Sequence, residues 1–508
     1  MSRLNKTLLT NNIEVSAEVE MRSYPVNLPE RIIQFGEGNF LRAFVNWMIH
    51  LLNKNNLFNG RVVVVQPIAE GLAGKINAQD GLYTLLLRGL QDGKVVEQKE
   101  VISSISRCIN PYAEWDEYIK CAENPAIEFV VSNTTEAGIC FDVNDILTNR
   151  PPVSFPGKLT AYLYHRFQYF NGQADKGMII LPCELIERNG ATLKKVVLQL
   201  AESWNLPQEF KEWVEECNYF LNTLVDRVVT GYPKDEIAEL TSRFGYQDEL
   251  IDAGELFHLW VIEGPVELAK KLPFTQIGLN VIWTNDMTPY RTRKVRILNG
   301  AHTSSVPAAF LYGLDTVGEM MDHSVMGAFT RQIITDEIIP SINLDKRMLT
   351  DFATAVIERF QNPYIRHYLL SILLNSASKF KARVLPSILE YNELQGKLPE
   401  KLTFSLAALI AVYKDGKLEG AAMRAAREKD EFIMKDDLSV LAFFVSTWSE
   451  FDGSCSGAQM VAKDVLSNTA LWGEDLTSVP GLKQKVGEYL YMITNQGMQT
   501  AVKKLVNK

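Results

Sequence analysis

Residues 31–66 constrain the fold of this chain more than any other stretch. RIIQF at 31–35 is a short apolar run that reads as a buried strand. It runs straight into Gly36-Glu37-Gly38-Asn39, after which Phe40, Phe44, Trp47, Met48 and Leu51 recur at helical spacing. Strand, glycine turn and helix in that order open a βαβ unit. RVVVVQ at 61–66 completes it, and a β-branched run of that kind suits a parallel strand buried on both faces.

Further strand patterns lie at 83–88, 95–101, 128–132 and 177–182, with helical patterns at 112–122 and 159–170. This alternation predicts an open α/β sheet. A last strand is expected at 279–284. Beyond about residue 290 the spacing is helical throughout, at 300–314, 326–337, 348–360, 364–378, 399–413 and 438–451. The charged stretch 414–437 reads as an exposed excursion. The expected organisation is a loosely attached arm over 1–28, a Rossmann-type α/β dinucleotide-binding domain over 29–285, and an all-helical substrate and catalytic domain over 286–508.

Gly36-x-Gly38 between strand and helix begins a dinucleotide fingerprint. The first glycine permits the tight turn, and the second lets backbone N–H groups approach a pyrophosphate. The third fingerprint position is Leu41, so the match is incomplete. The second strand ends in Gln66-Pro67 rather than in the acid that binds the ribose of NAD, with Glu70 a little later. No arginine follows to take a 2′-phosphate, which favours NAD without deciding against NADP. The loop Ser132-Asn133-Thr134-Thr135-Glu136-Ala137-Gly138, small and polar after a strand, suits the wall of a ligand crevice.

KVRILNGAH at 294–302 sets Lys294, Asn299 and His302 five and then three residues apart. On an α-helix those offsets fall within an arc of roughly 140°. An ammonium, a carboxamide and an imidazole there could supply a proton and hold a developing alkoxide. Arg291, Arg293 and Arg296 are candidate cations that would lower the lysine pKa. The same pattern also fits a solvated helix start, and His302 also fits a core position.

The net charge of −9 argues against nucleic acid as a partner. Six cysteines lie scattered without a CxxC, as expected of reduced thiols. HExxH and HxH are absent, so no metal site is expected. There is no apolar signal region at the start and no run long enough to span a membrane, which makes a cytoplasmic location the expectation.

GEGNFLRAF at 36–44, NTTEAGI at 133–139, PCELIERNG at 182–190, NTLVDR at 222–227 and KVRILNGAH at 294–302 occur in that order. Together they resemble the mannitol dehydrogenase family, the zinc-independent, polyol-specific long-chain dehydrogenases. The resemblance spans about residues 24–508. It implies hydride transfer with NAD at a site between the two domains. It implies Lys294 as the catalytic lysine, with Asn189, Asn299 and His302 on the reacting oxygen and Asp226 nearby. The cofactor would meet Phe35, Gly36, Gly38, Asn39, Phe40, Gln66, Thr134 and Glu136.

Two departures stand out. Polyol-oxidising relatives keep a glutamate just ahead of the lysine, where this chain has Arg291-Thr292-Arg293. They also keep an arginine where this chain has Ser371. Such retuning fits a small uronate or aldonate substrate, whose carboxylate would meet His367, Lys379 and Arg383, with Arg366 a further candidate. Oligomeric state is left open.

Overall fold

Six strands build one parallel sheet: β1 (Glu30–Phe35), β2 (Arg61–Val65), β3 (Ile105–Ile109), β4 (Phe129–Ser132), β5 (Ile179–Pro182) and β6 (Tyr219–Phe220). Their order is β3-β2-β1-β4-β5-β6. That is the doubly wound order, with its reversal point between β1 and β4. The strands are apolar on both faces because both are covered. Ile32, Val62, Val64 and Val131 pack with Phe44, Trp47 and Met48. Ile33, Phe35, Val63 and Val130 pack with Leu159, Tyr162, Leu193 and Val197.

The computed structural model describes residues 1–10, 16–21, 28–135, 137–427 and 430–507. The chain divides into two units, Met1–Met287 and Thr288–Lys508.

Three strand patterns of the first unit lie outside the main sheet. Tyr83–Gln91 and Lys94–Ile102 form an antiparallel hairpin, joined by Asp252–Gly254. The cause is local: Asp92 and Gly93 both have positive φ, 52° and 70°. Asp-Gly in that conformation is a tight hairpin turn. The strand expected at 279–284 is Val281–Thr284, in a third sheet with Asn222–Asp226 and Leu259–Glu263. The described parts of the N-terminal segment are packed rather than loose. Ser2–Arg3 pairs with Tyr246–Gln247, Leu4, Leu8 and Val19 are buried, and Glu20 bridges to Glu100.

The second unit is mostly helical around Gly300–Tyr312 and Glu400–Val412, whose side chains are almost all buried. Helices apolar on every side belong in an interior. The unit is not all-helical, however. Lys417–Glu419, Ala422–Arg427 and Asp430–Met434 make a three-stranded antiparallel sheet inside the expected excursion. Met423, Ala425, Phe432 and Met434 point inward at alternate positions. Arg427 anchors it, donating to the Phe310 and Leu314 carbonyls and pairing with Asp315 at 2.8 Å. Among the described residues, no helix is long and apolar enough to cross a membrane.

Candidate active site

In the first unit the glycine turn after β1 is closed by backbone contact. Gly36 has φ +113°, and a Cβ there would stand 2.7 Å from the Asn133 carbonyl oxygen. Only glycine lets this turn lie against the loop after β4. A Cβ on Gly38 would meet nothing within 4 Å. Gly38 caps a helical run made of Asn39–Leu41, a π-helical turn Arg42–Asn46, and Trp47–Lys54. The chain is thus open on the Cβ side of Gly38, and a helix start left open in this way can receive a dinucleotide pyrophosphate. Asn39 is exposed and its Oδ1 accepts from the Arg42 guanidinium. Phe40 stacks on Phe44 at 5.0 Å.

Three expected cofactor contacts have side chains engaged within the chain itself. Phe35 is fully buried against Phe155 (4.9 Å) and Tyr118 (6.0 Å), so its ring is core and only its backbone borders the turn. Gln66 is also buried. Its amide donates to the Ile68 and Ala69 carbonyls and accepts from the Ala73 N–H, so it is spent on folding the loop after β2. Thr134 donates through its backbone N–H and its hydroxyl to Glu184 Oε1. Glu136 lies outside the described residues.

Glu184 ties the ends of two strands together. It also accepts from the Ser132 hydroxyl, and burial raises its pKa. Asn189 begins the helix Asn189–Ser203 and is 1% exposed. Its Nδ2 donates to the Pro182, Glu184 and Thr223 carbonyls, and its Oδ1 accepts from the N–H groups of Gly190 and Thr223. That exhausts a carboxamide, so in this arrangement Asn189 holds the PCELI loop rather than presenting a free group. Asp226 ends its strand, buried beside Arg227. The Arg227 guanidinium donates to the Ala43, Leu256 and Phe257 carbonyls and lies 4.2 Å over the Trp47 ring.

In the second unit the KVRILNGAH segment is not a plain α-helix. Thr288–Arg293 is α-helical, Lys294–Asn299 is one π-helical turn, and Gly300–Tyr312 resumes the α-helix. A π turn bonds residue i to i+5. Asn299 therefore sits one turn from Lys294 on nearly the same face, closer in angle than an α-helix allows. Gly300 makes room for a neighbouring helix, since a Cβ there would fall 3.0 Å from the Arg383 carbonyl oxygen. The end of the helix Ser376–Arg383, which carries Lys379 and Arg383, thus packs on this segment.

His302 stacks on Phe360 at 4.0 Å and 11°, and meets His367 edge-on at 5.2 Å. Its Nε2 is covered and has no hydrogen-bond partner. Burial, then His367, Arg359 and Arg383, hold its pKa well below the ordinary value. Burial and Lys379 depress His367, while burial and Arg383 depress Lys379. Lys379 Nζ donates to the Ile372 carbonyl at 3.1 Å. The structure thus brings His302, His367, Lys379 and Arg383 together, with Arg359 and Phe360 beside them. Arg366 is exposed. Arg296 is not a site cation: it is buried, forks onto Glu390 at 3.0 and 3.1 Å, and donates to Ser387 and Ser341. Arg293 lies 4.5 Å over the Phe352 ring.

Glu37, Glu184, Arg359 and Phe360 were not singled out from the sequence. Glu184 stands inside PCELIERNG and the Arg359–Phe360 pair ends the helical pattern at 348–360, but nothing in spacing alone marks them. Among the described residues, no group of three or more His, Cys, Asp or Glu is placed to hold a metal.

Comparison with known proteins agrees with both units. Residues 30–276 match the model of the mannitol dehydrogenase Rossmann domain, and 286–494 that of the mannitol dehydrogenase C-terminal domain. The chain is 48% identical over 476 residues to the altronate oxidoreductase of Yersinia enterocolitica, covering 93% of this chain and 96% of that one. It is 47% identical over 474 residues to the altronate oxidoreductase of Bacillus subtilis, with coverages of 93% and 95%. Among solved structures, Pseudomonas fluorescens mannitol 2-dehydrogenase, in a ternary complex with NAD and D-mannitol, superposes with a TM-score of 0.70. Its identity is 23%, with both chains fully covered. A substrate-free D-sorbitol dehydrogenase gives 0.79 at 21% identity, covering 98% of this chain and 100% of its own. With both domain models matched in order and this identity sustained over most of the chain, the protein belongs to the mannitol dehydrogenase family and is an oxidoreductase that acts on a CH–OH group.

Proposed function

We propose that this enzyme reduces D-tagaturonate to D-altronate with NADH, reversibly, as a step of hexuronate catabolism. The observation that carries this reading is the cationic cluster of the second unit. Lys379 and Arg383 crowd against the KVRILNGAH segment, beside His367, whose depressed pKa keeps it a neutral imidazole. Such a cluster favours an anion, and an arginine can clamp a carboxylate with two hydrogen bonds. A neutral polyol would offer Lys379 and Arg383 no negative charge beyond that of Asp436. The relatives named altronate oxidoreductase support the same choice.

The reduced nicotinamide, when bound, supplies a hydride to the ketone carbon. The chain does the rest. Lys294 gives a proton to the oxygen as it becomes an alkoxide. Asn299, brought round by the π turn, donates its amide to that oxygen. His302 is held neutral by its surroundings, and its unpaired Nε2 gains a partner when a substrate oxygen is supplied. A buried polar atom without a partner costs about 1–3 kcal/mol, which a site can retain when ligand binding satisfies it. Asn189 acts as a positioning residue for the loop between Pro182 and its helix. Arg291-Thr292-Arg293 offers no carboxylate to relay the lysine's proton to solvent.

Lys294→Ala tests the assignment. Loss of a positioned acid should lower turnover about 10²- to 10⁴-fold, with NADH affinity unchanged by titration. Near-native turnover in that variant would remove Lys294 from the mechanism.

A further inference from the structure

The strand end that usually discriminates between NAD and NADP is uninformative here. In doubly wound folds an acid at the end of the second strand binds the ribose 2′-hydroxyl. In this chain that position is Gln66, uncharged and fully committed to the loop after β2. A carboxylate nevertheless reaches the same place from the glycine turn. A Cβ on Gly71 would fall 2.3 Å from Glu37 Oε1 and 2.6 Å from Gln66 Cδ. Glu37, Gln66 and Gly71 therefore converge at the carboxyl end of β2. Glu37 is 8% exposed, and the Leu72 N–H donates to it. The loop after β2, Gln66-Pro67-Ile68-Ala69-Glu70-Gly71-Leu72, contains a second acid, Glu70, and no lysine or arginine. The next lysine, Lys75, pairs with Glu249 at 3.7 Å.

We infer that Glu37 is the specificity-determining residue for the coenzyme: its carboxylate accepts from the ribose 2′-hydroxyl of NAD(H) and repels the 2′-phosphate of NADP(H). The inference rests on reading the first unit as the dinucleotide site and assigns a residue within it. Gly71 is then required as well, because any side chain there would displace the carboxylate. The discriminating charge comes from the x position of the GxG turn, so the neutral strand end does not imply a relaxed coenzyme choice.

The test is calorimetric binding of NADH, NADPH and 2′-deoxy-NADH to the native chain and to Glu37→Gln, with thermal unfolding as the check on folding. The native chain should bind NADH roughly 10- to 100-fold more tightly than NADPH, the range expected of a hydrogen bond to a charged group. Glu37→Gln should shrink that ratio about tenfold or more, through weaker NADH and stronger NADPH binding. The native chain alone gives a second reading that needs no variant to fold: 2′-deoxy-NADH should bind about tenfold more weakly than NADH. An unchanged NADH:NADPH ratio in a folded Glu37→Gln, or equal binding of the deoxy analogue, overturns the role of Glu37 and leaves the dinucleotide site standing. Failure of the native chain to bind either dinucleotide overturns the site itself.

Discussion

A histidine with a covered, unpaired Nε2, stacked face to face on a phenylalanine, is a costly group to keep in a helical core. Its surroundings are cationic rather than acidic, which keeps the ring neutral and the site receptive to negative charge. The carboxylate contact can be tested at this scale. Replacing Lys379 and Arg383 together by Met should raise the KM for tagaturonate roughly 10²- to 10⁴-fold, since each charge-assisted hydrogen bond is worth about 1.5–3 kcal/mol and two are lost. The KM for a neutral ketose should not move, and initial rates over a substrate series would show this. An unchanged KM for the uronate would place its carboxylate elsewhere. Much of this was legible in the sequence, because KVRILNGAH states its chemistry in residue types. Side-chain direction was not legible. Phe35, Gln66 and Arg296 have plausible chemistry at plausible positions, yet the fold turns the first into the core and spends the other two on hydrogen bonds.

At the scale of elements, both recognisable motifs contain a π turn, Arg42–Asn46 after the glycine turn and Lys294–Asn299 at the lysine. Such turns recur at functional sites because one extra residue re-aims the side chains around it. No spacing rule predicts them, which is why the α-helical arc overstates the angle between Lys294 and Asn299. The first π turn is held by a buried pair, Arg42 and Asp252, at 3.8 Å. Burial drives Asp252 up to about 7, with Arg42 opposing the shift. A carboxyl raised in the folded state lends stability below its unfolded pKa of about 3.9 and loses it as pH rises toward the folded value. Asp252→Asn does not titrate. Its stability relative to the native chain should therefore increase between about pH 4 and pH 7, by at most about 1.4 kcal/mol per pH unit. Urea midpoints across that range would show it, and a difference constant with pH would contradict the shift. The Asp92-Gly93 hairpin is the opposite case: its signal was present in the sequence, but strand patterns on either side read equally well as parallel.

Across the whole molecule, the βαβ opening and the change to helical spacing near residue 286 were enough to separate an α/β part from a helical one. The small sheet at 417–434 was hidden by its charge. Its alternate residues are apolar, but Lys, Arg, Asp and Glu between them make the stretch read as solvated. The family follows from both domain models and the near full-length relatives. The substrate rests on the cationic cluster. The most direct test is therefore the rate of NADH oxidation with D-tagaturonate, D-fructuronate and D-fructose at matched concentrations. The account predicts the highest kcat/KM with tagaturonate and the lowest with fructose; a preference for fructose would contradict it.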